Sequence, residues 1–89
     1  MSFVIYARDK AGALEVRKTN RDAHLAYVEA TGVVSIAGPL LDGDGQMAGS
    51  LLVLEVEDLA AAEAWAAEDP YAKAGLFAQV DIRGFKRVR

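Results

Sequence analysis

Apolar and polar residues alternate from the first positions of the chain. Phe3, Ile5 and Ala7 fall on one side of an extended segment from Ser2 to Arg8, and Val4 and Tyr6 fall on the other. That period of two predicts a β-strand. Asp9-Lys10-Ala11-Gly12 turns the chain, and the period then changes. Leu14, Arg17, Arg21, His24, Leu25 and Val28 share one side at about 100° per residue, which predicts a helical region. Thr19-Asn20 offers a place for that region to stop and restart, because either side chain can cap Arg21-Asp22-Ala23. Gly32 ends it with a left-handed cap.

Val33 to Leu40 reads as the second strand, with Gly38-Pro39 near its end. Leu41 to Gln46 is a turn, rich in residues that tolerate positive φ. Met47 to Val56 returns as the third strand, making a hairpin. Asp58 is a natural N-cap for a second helix from Leu59 to about Glu68, built mostly of alanine, with Leu59, Ala62, Trp65 and Ala66 as its buried stripe. The chain then turns on Asp69-Pro70, runs a short helical turn to Gly75, and enters a fourth strand from Leu76 to about Ile82.

The order β-α-β-β-α-β is that of a ferredoxin-like α+β sandwich, with both crossover helices on one face of an antiparallel sheet. The strands are apolar on their second face as well. Leu51 and Val53 oppose Leu52, Leu54 and Val56, while Val33 and Ala37 oppose Val34 and Ile36. A contiguous apolar face left to water marks an interface. Two sheets packed face to face would cover both, so the pattern predicts a homodimer made through sheet faces.

Composition sharpens this picture. A chain of 89 residues makes a single domain over 1–89, and 53% apolar residues is generous for so small a body. A net charge of −3 leaves no basic stripe for nucleic acid. The terminal Arg83, Lys86, Arg87 and Arg89 read as a solvated tail. With no cysteine and 1 histidine, disulfides, thiolate chemistry and a histidine-rich metal cage are excluded. No run approaches a membrane span or a signal peptide, which makes a cytoplasmic protein with no membrane partner the expectation.

Few side chains here carry chemistry. An imidazole can move protons in both directions near neutral pH, so His24 is a candidate for proton transfer, or it packs on the sheet and bonds to a carbonyl. Asp69 before Pro70 is an N-cap and N1 pair, and its carboxylate can also orient an imidazole. Arg21 places a permanent charge in the helical stripe, so its stem either snorkels to the edge or meets an anion in a cleft. Gly49-Ser50 either relieves crowding or lets a ligand approach a hydroxyl donor. Tyr71 either closes the core or offers its hydroxyl to a pocket. Asp42-Gly43-Asp44-Gly45 lacks the lysine and following helix of a phosphate loop, and the glutamate of a calcium loop.

Taken in order, Val4 to Lys10, Arg21-Asp22-Ala23-His24-Leu25, Ala37-Gly38-Pro39, Gly49-Ser50, Ala64-Trp65-Ala66, Asp69-Pro70-Tyr71 and Phe85-Lys86-Arg87-Val88 resemble the YciI-like (YCII-related) family over nearly the whole chain. The resemblance implies a dimeric α+β barrel of ferredoxin-like subunits. It also implies a pocket in which a histidine and an aspartate, here His24 and Asp69, form a catalytic pair with Ser50, Gly38 and Pro39 nearby. Two features depart from the family pattern. Asp22 stands where many relatives have proline, and the loop from Leu41 to Gln46 is shorter, which alters the pocket rim. Some relatives eliminate halide from small chlorinated aromatic compounds, and the fold resembles that of muconolactone isomerase. Those reactions share proton transfer without a cofactor. The sequence therefore reads as a small enzyme of lyase or isomerase type with no cofactor and no metal. His24 and Asp69 would be catalytic, with Arg21, Ser50, Tyr71, Gly38 and Pro39 around a small organic substrate, neutral or anionic. The rival reading is a small-molecule binder or dimeric accessory protein that uses the same cleft without catalysis.

Overall fold

The alternation at the start of the chain becomes a central strand. In the computed structural model, which describes residues 1–89, β1 (Ser2–Asp9) lies between β3 (Met47–Glu55) and β4 (Phe77–Phe85), and β2 (Val34–Leu41) flanks β3. All neighbours are antiparallel in the order β2-β3-β1-β4. Helices α1 (Leu14–Thr31), α2 (Leu59–Glu68) and the short α3 (Pro70–Lys73) complete a ferredoxin-like α+β fold. No helix is long and apolar enough to cross a membrane.

Register sorts the side chains. Phe3 pairs with Leu54, Ile5 with Leu52 and Ala7 with Ser50, and this face carries the core with Ala62 and Trp65 of α2 packed on it. Burial of these side chains from water supplies the drive for folding. Trp65 also ties α2 to α1. Its Nε1 donates to Thr31 Oγ1 at 2.9 Å, and Tyr27 Oη donates to the Trp65 carbonyl at 2.8 Å.

The structure departs from the pattern reading in four places. First, α1 is continuous through Thr19-Asn20. Asn20 Nδ2 donates to the Val16 carbonyl, so the side chain supports the helix instead of capping a new one. Second, a bulge between Val34 and Ile36 breaks the alternation of β2. Val34 pairs with core Leu54, whereas Ile36 pairs with Val53 on the opposite face, and Ala37 returns to pair with Leu52. Third, Leu59 is exposed at the mouth of α2, where Asp58 caps the Ala61 amide at 2.9 Å. Fourth, β4 runs three residues beyond Ile82, to Phe85, so Arg83 belongs to a strand and pairs with Val4.

On the helix-free face, Val4, Tyr6, Leu51, Val53 and Ile36 form a contiguous apolar area across β1, β3 and β2. On β4 the same face turns polar with Gln79, Asp81 and Arg83.

Candidate functional site

Asp69 ends α2 and begins α3. Pro70 disfavours a helical conformation in the residue before it, so Asp69 takes an extended φ of −60° and ψ of 126°. Its Oδ1 then accepts the Tyr71 amide at 2.9 Å, with Pro70 at the first helical position. The same oxygen lies 2.7 Å from His24 Nδ1. Both residues are buried, His24 at 6% exposure and Asp69 at 2%.

That contact decides the chemistry of the ring. A carboxylate oxygen accepts, so Nδ1 carries the proton and the neutral ring has its lone pair on Nε2. Nε2 has no protein partner, yet no buried side-chain nitrogen or oxygen in the chain is left without one. The small exposed part of the ring therefore includes Nε2. His24 lines a cavity of 240 Å³ between α1 and the β2–β3 hairpin.

Of the residues that the sequence singles out, Arg21, His24, Gly38, Pro39, Ser50 and Tyr71 line this cavity together, and Asp69 stands behind His24. Leu25, Ala37, Met47 and Leu52 supply most of the apolar wall. Arg21 is exposed at the rim and makes no ion pair with the chain. No group of three or more histidine, cysteine, aspartate or glutamate side chains is placed to hold a metal ion.

The feature that sequence reasoning missed is the pair Asp9–Arg17. Arg17, at 2% exposure, donates Nε and Nη2 to the two Asp9 oxygens at 2.7 and 2.9 Å, and Nη2 also reaches Ser50 Oγ at 2.9 Å. Its guanidinium carbon lies 4.7 Å from the Tyr71 ring centroid, and Tyr71 in turn stacks on His24 at 4.0 Å with 14° between planes. A signal existed. One more step of the Phe3, Ile5, Ala7 alternation puts Asp9 on the helix face, and Arg17 lies in the inward stripe of α1. Two opposite charges turned into one interior must pair.

Burial alone would lower the Arg17 pKa, but the hydrogen-bonded Asp9 carboxylate outweighs it and raises the value. Burial lifts the Tyr71 phenol above its ordinary 10.0, against the pull of the Arg17 and Arg21 charges. Arg17 is thus a fixed cation and Tyr71 a neutral phenol across the physiological range.

Residues 1–86 match the family model of the YCII-related domain. Protein YciI of Escherichia coli O6:H1 (strain CFT073) is 41% identical over 97 residues, covering 99% of each chain. The solved structure of the 5-chloro-2-hydroxyhydroquinone dehydrochlorinase TftG from Burkholderia phenoliruptrix AC1100, in complex with 2,5-dihydroxybenzoquinone, superposes with a TM-score of 0.90 at 38% identity, covering 97% of this chain and 94% of its own. An antibiotic biosynthesis monooxygenase shares the fold alone, with a TM-score of 0.61 at 11% identity over 99% of this chain and 98% of its own.

Proposed function

The chain belongs to the YCII-related family, and from that premise we propose that it is a small enzyme of lyase or isomerase type whose His24–Asp69 pair performs general acid-base catalysis on a small organic molecule. The observation that carries this reading is the buried 2.7 Å contact at Nδ1 of a histidine that lines the cavity and whose Nε2 has no partner in the chain. A histidine that merely packed on the sheet would have no reason to keep an unpartnered ring nitrogen beside a space for a ligand. The dehydrochlorinase, a relative with a small ring compound bound, supports a ligand of comparable size and an elimination among the candidate reactions.

In this reading Nε2 takes a proton from a carbon or oxygen of the substrate and becomes imidazolium, stabilised by the Asp69 carboxylate. The electron pair left behind stays on that oxygen or, from carbon, shifts into a neighbouring carbonyl to give an enolate oxygen. The pair then returns either to accept the proton at a different carbon, which is isomerisation, or to expel a leaving group, which is elimination. In isomerisation His24 hands its proton to that carbon, and in elimination it passes the proton to the departing group or to water, so the ring is neutral again. Positioned proton transfer of this kind contributes about 10²- to 10⁴-fold in rate.

The test is a screen of small organic acids, lactones and halogenated phenols in heavy water, read by NMR for exchange, isomerisation or halide release. Wild type turns over at least one class, and His24→Ala loses about 10²- to 10⁴-fold. Undiminished turnover in His24→Ala removes the histidine from the chemistry, and no turnover in wild type across the screen leaves the cleft as a binding site without catalysis.

The apolar helix-free face supports a second part of the proposal, that two copies pack sheet to sheet.

A further inference from the structure

The two arginines at the cavity differ in what they are free to do. Arg21 has no ion-pair partner, whereas Arg17 is committed to Asp9 and Ser50. A guanidinium has only donors, so Ser50 Oγ can do nothing but accept along its bond to Arg17. The hydroxyl proton of Ser50 must go elsewhere, and Oγ makes no other hydrogen bond within the chain. Ser50 lines the cavity, which is the remaining direction. The carboxylates of Asp9 and Asp69 do not line it; each is turned to its cationic or imidazole partner behind the wall. An anion in the cavity therefore meets the Ser50 donor and one free positive charge and no carboxylate, with the Nε2 lone pair of His24 as the one acceptor beside it.

We propose that Arg17, held by Asp9, is a positioning residue that makes Ser50 a hydrogen-bond donor to a charged oxygen of the ligand, with Arg21 as the free countercharge. The cavity then takes small oxyanions such as enolates, phenolates or carboxylates. The inference rests on the cavity being the ligand site and adds the ligand's charge and the residues that select it. It does not depend on catalysis. Without Arg17 the Ser50 hydroxyl rotates freely and offers a lone pair as readily as a proton, so the selection for charge weakens even where the cavity keeps its shape.

The experiment is calorimetric titration at pH 7 with 2,5-dihydroxybenzoquinone, which is ionised there, and with its neutral dimethyl ether. The readout is the ratio of the two affinities, which general damage to the cavity leaves unchanged. Wild type favours the anion by at least about tenfold, the size of one hydrogen bond to a charged group. Ser50→Ala reduces the ratio roughly tenfold, and so does the double variant Asp9→Asn/Arg17→Met, which removes both buried charges and leaves no unpaired charge. Combining all three changes reduces it no further, because Arg17 acts through Ser50. Arg21→Gln reduces the ratio independently and adds to the loss in Ser50→Ala. The proposal is overturned if wild type binds neither compound or shows no preference, if Ser50→Ala keeps the wild-type ratio, or if the Arg17 and Ser50 losses simply add. Should the Asp9/Arg17 variant not fold, the ratios of Ser50→Ala and Arg21→Gln decide alone. A protein that keeps this charge preference yet turns over nothing retains the inference and loses the catalytic reading.

Discussion

A single oxygen, Asp69 Oδ1, holds two donors, the Tyr71 amide and the His24 ring. This separates the roles of charge and shape at one position. In Asp69→Asn the amide of Tyr71 pins the new carbonyl oxygen where Oδ1 was, because only the oxygen of asparagine accepts. The His24 proton then stays on Nδ1, and stability changes little, since asparagine caps as well as aspartate. Asp69→Ala costs about 0.5–2 kcal/mol through the lost cap and frees the ring to protonate at either nitrogen. Nitrogen-15 NMR of the single histidine, beside urea unfolding, checks both variants; a shift of the proton to Nε2 in Asp69→Asn would count against the shared-oxygen geometry. Tyr71 supplies a pH prediction. Its pKa is raised by burial above the 10.0 of the unfolded chain, partly against Arg17 and Arg21. The folded state therefore holds its proton longer. Its contribution to stability is complete below pH 10 and is lost as pH rises from there through the folded value. Urea midpoints measured between pH 9 and 11 should fall in wild type and fall less in Tyr71→Phe.

At the scale of elements, α1 organises the site. Its spacing of four and then three residues aligns Arg17, Arg21 and His24 over the β2–β3 hairpin. The helix ends at Gly32, whose φ of 66° is left-handed and whose amide donates to the Val28 carbonyl. The hairpin has its own requirement at Gly49, the neighbour of Ser50. A Cβ there would collide with the Ala7 carbonyl oxygen and come within 3.0 Å of Leu40 Cδ1. Because the nearest obstacle is backbone, β1 and β3 have to separate to admit it. Gly49→Ala should therefore cost about 1–3 kcal/mol in urea unfolding and displace Ser50 from Arg17. A variant of wild-type stability would mean that the strands approach less closely than described.

For the whole molecule the apolar helix-free face carries the dimer prediction. Tyr6 is 44% exposed and Ile36 43% exposed there, while Val53 is already 5% exposed within one chain, sheltered by its neighbours. A charge at Val53 would thus harm the fold itself, and Tyr6→Asp or Ile36→Asp is the cleaner probe. Light scattering at micromolar concentration should give the mass of two chains for wild type and of one for either variant, with unchanged circular dichroism. A wild-type mass of one chain removes the dimer.

Much of this was legible in the residues themselves. Local geometry dictates the period of a strand or a helix, so the alternation of Phe3, Ile5 and Ala7, the stripe of α1, the Asp58 cap and the β-α-β-β-α-β order could all be read along the chain. The candidates His24, Asp69, Ser50 and Tyr71 were readable as chemistry-bearing types, each with a structural excuse beside it. Only tertiary structure shows which of these side chains meet, because the contact of His24 with Asp69 spans 45 positions and that of Arg17 with Ser50 spans 33. No periodicity encodes a distance across a sheet. The bulge in β2 was hidden for the same reason, since register belongs to a pair of strands and not to either one. The Asn20 side chain could cap or bond backwards with nearly equal local merit, and the packing of an unbroken α1 on the sheet settled it.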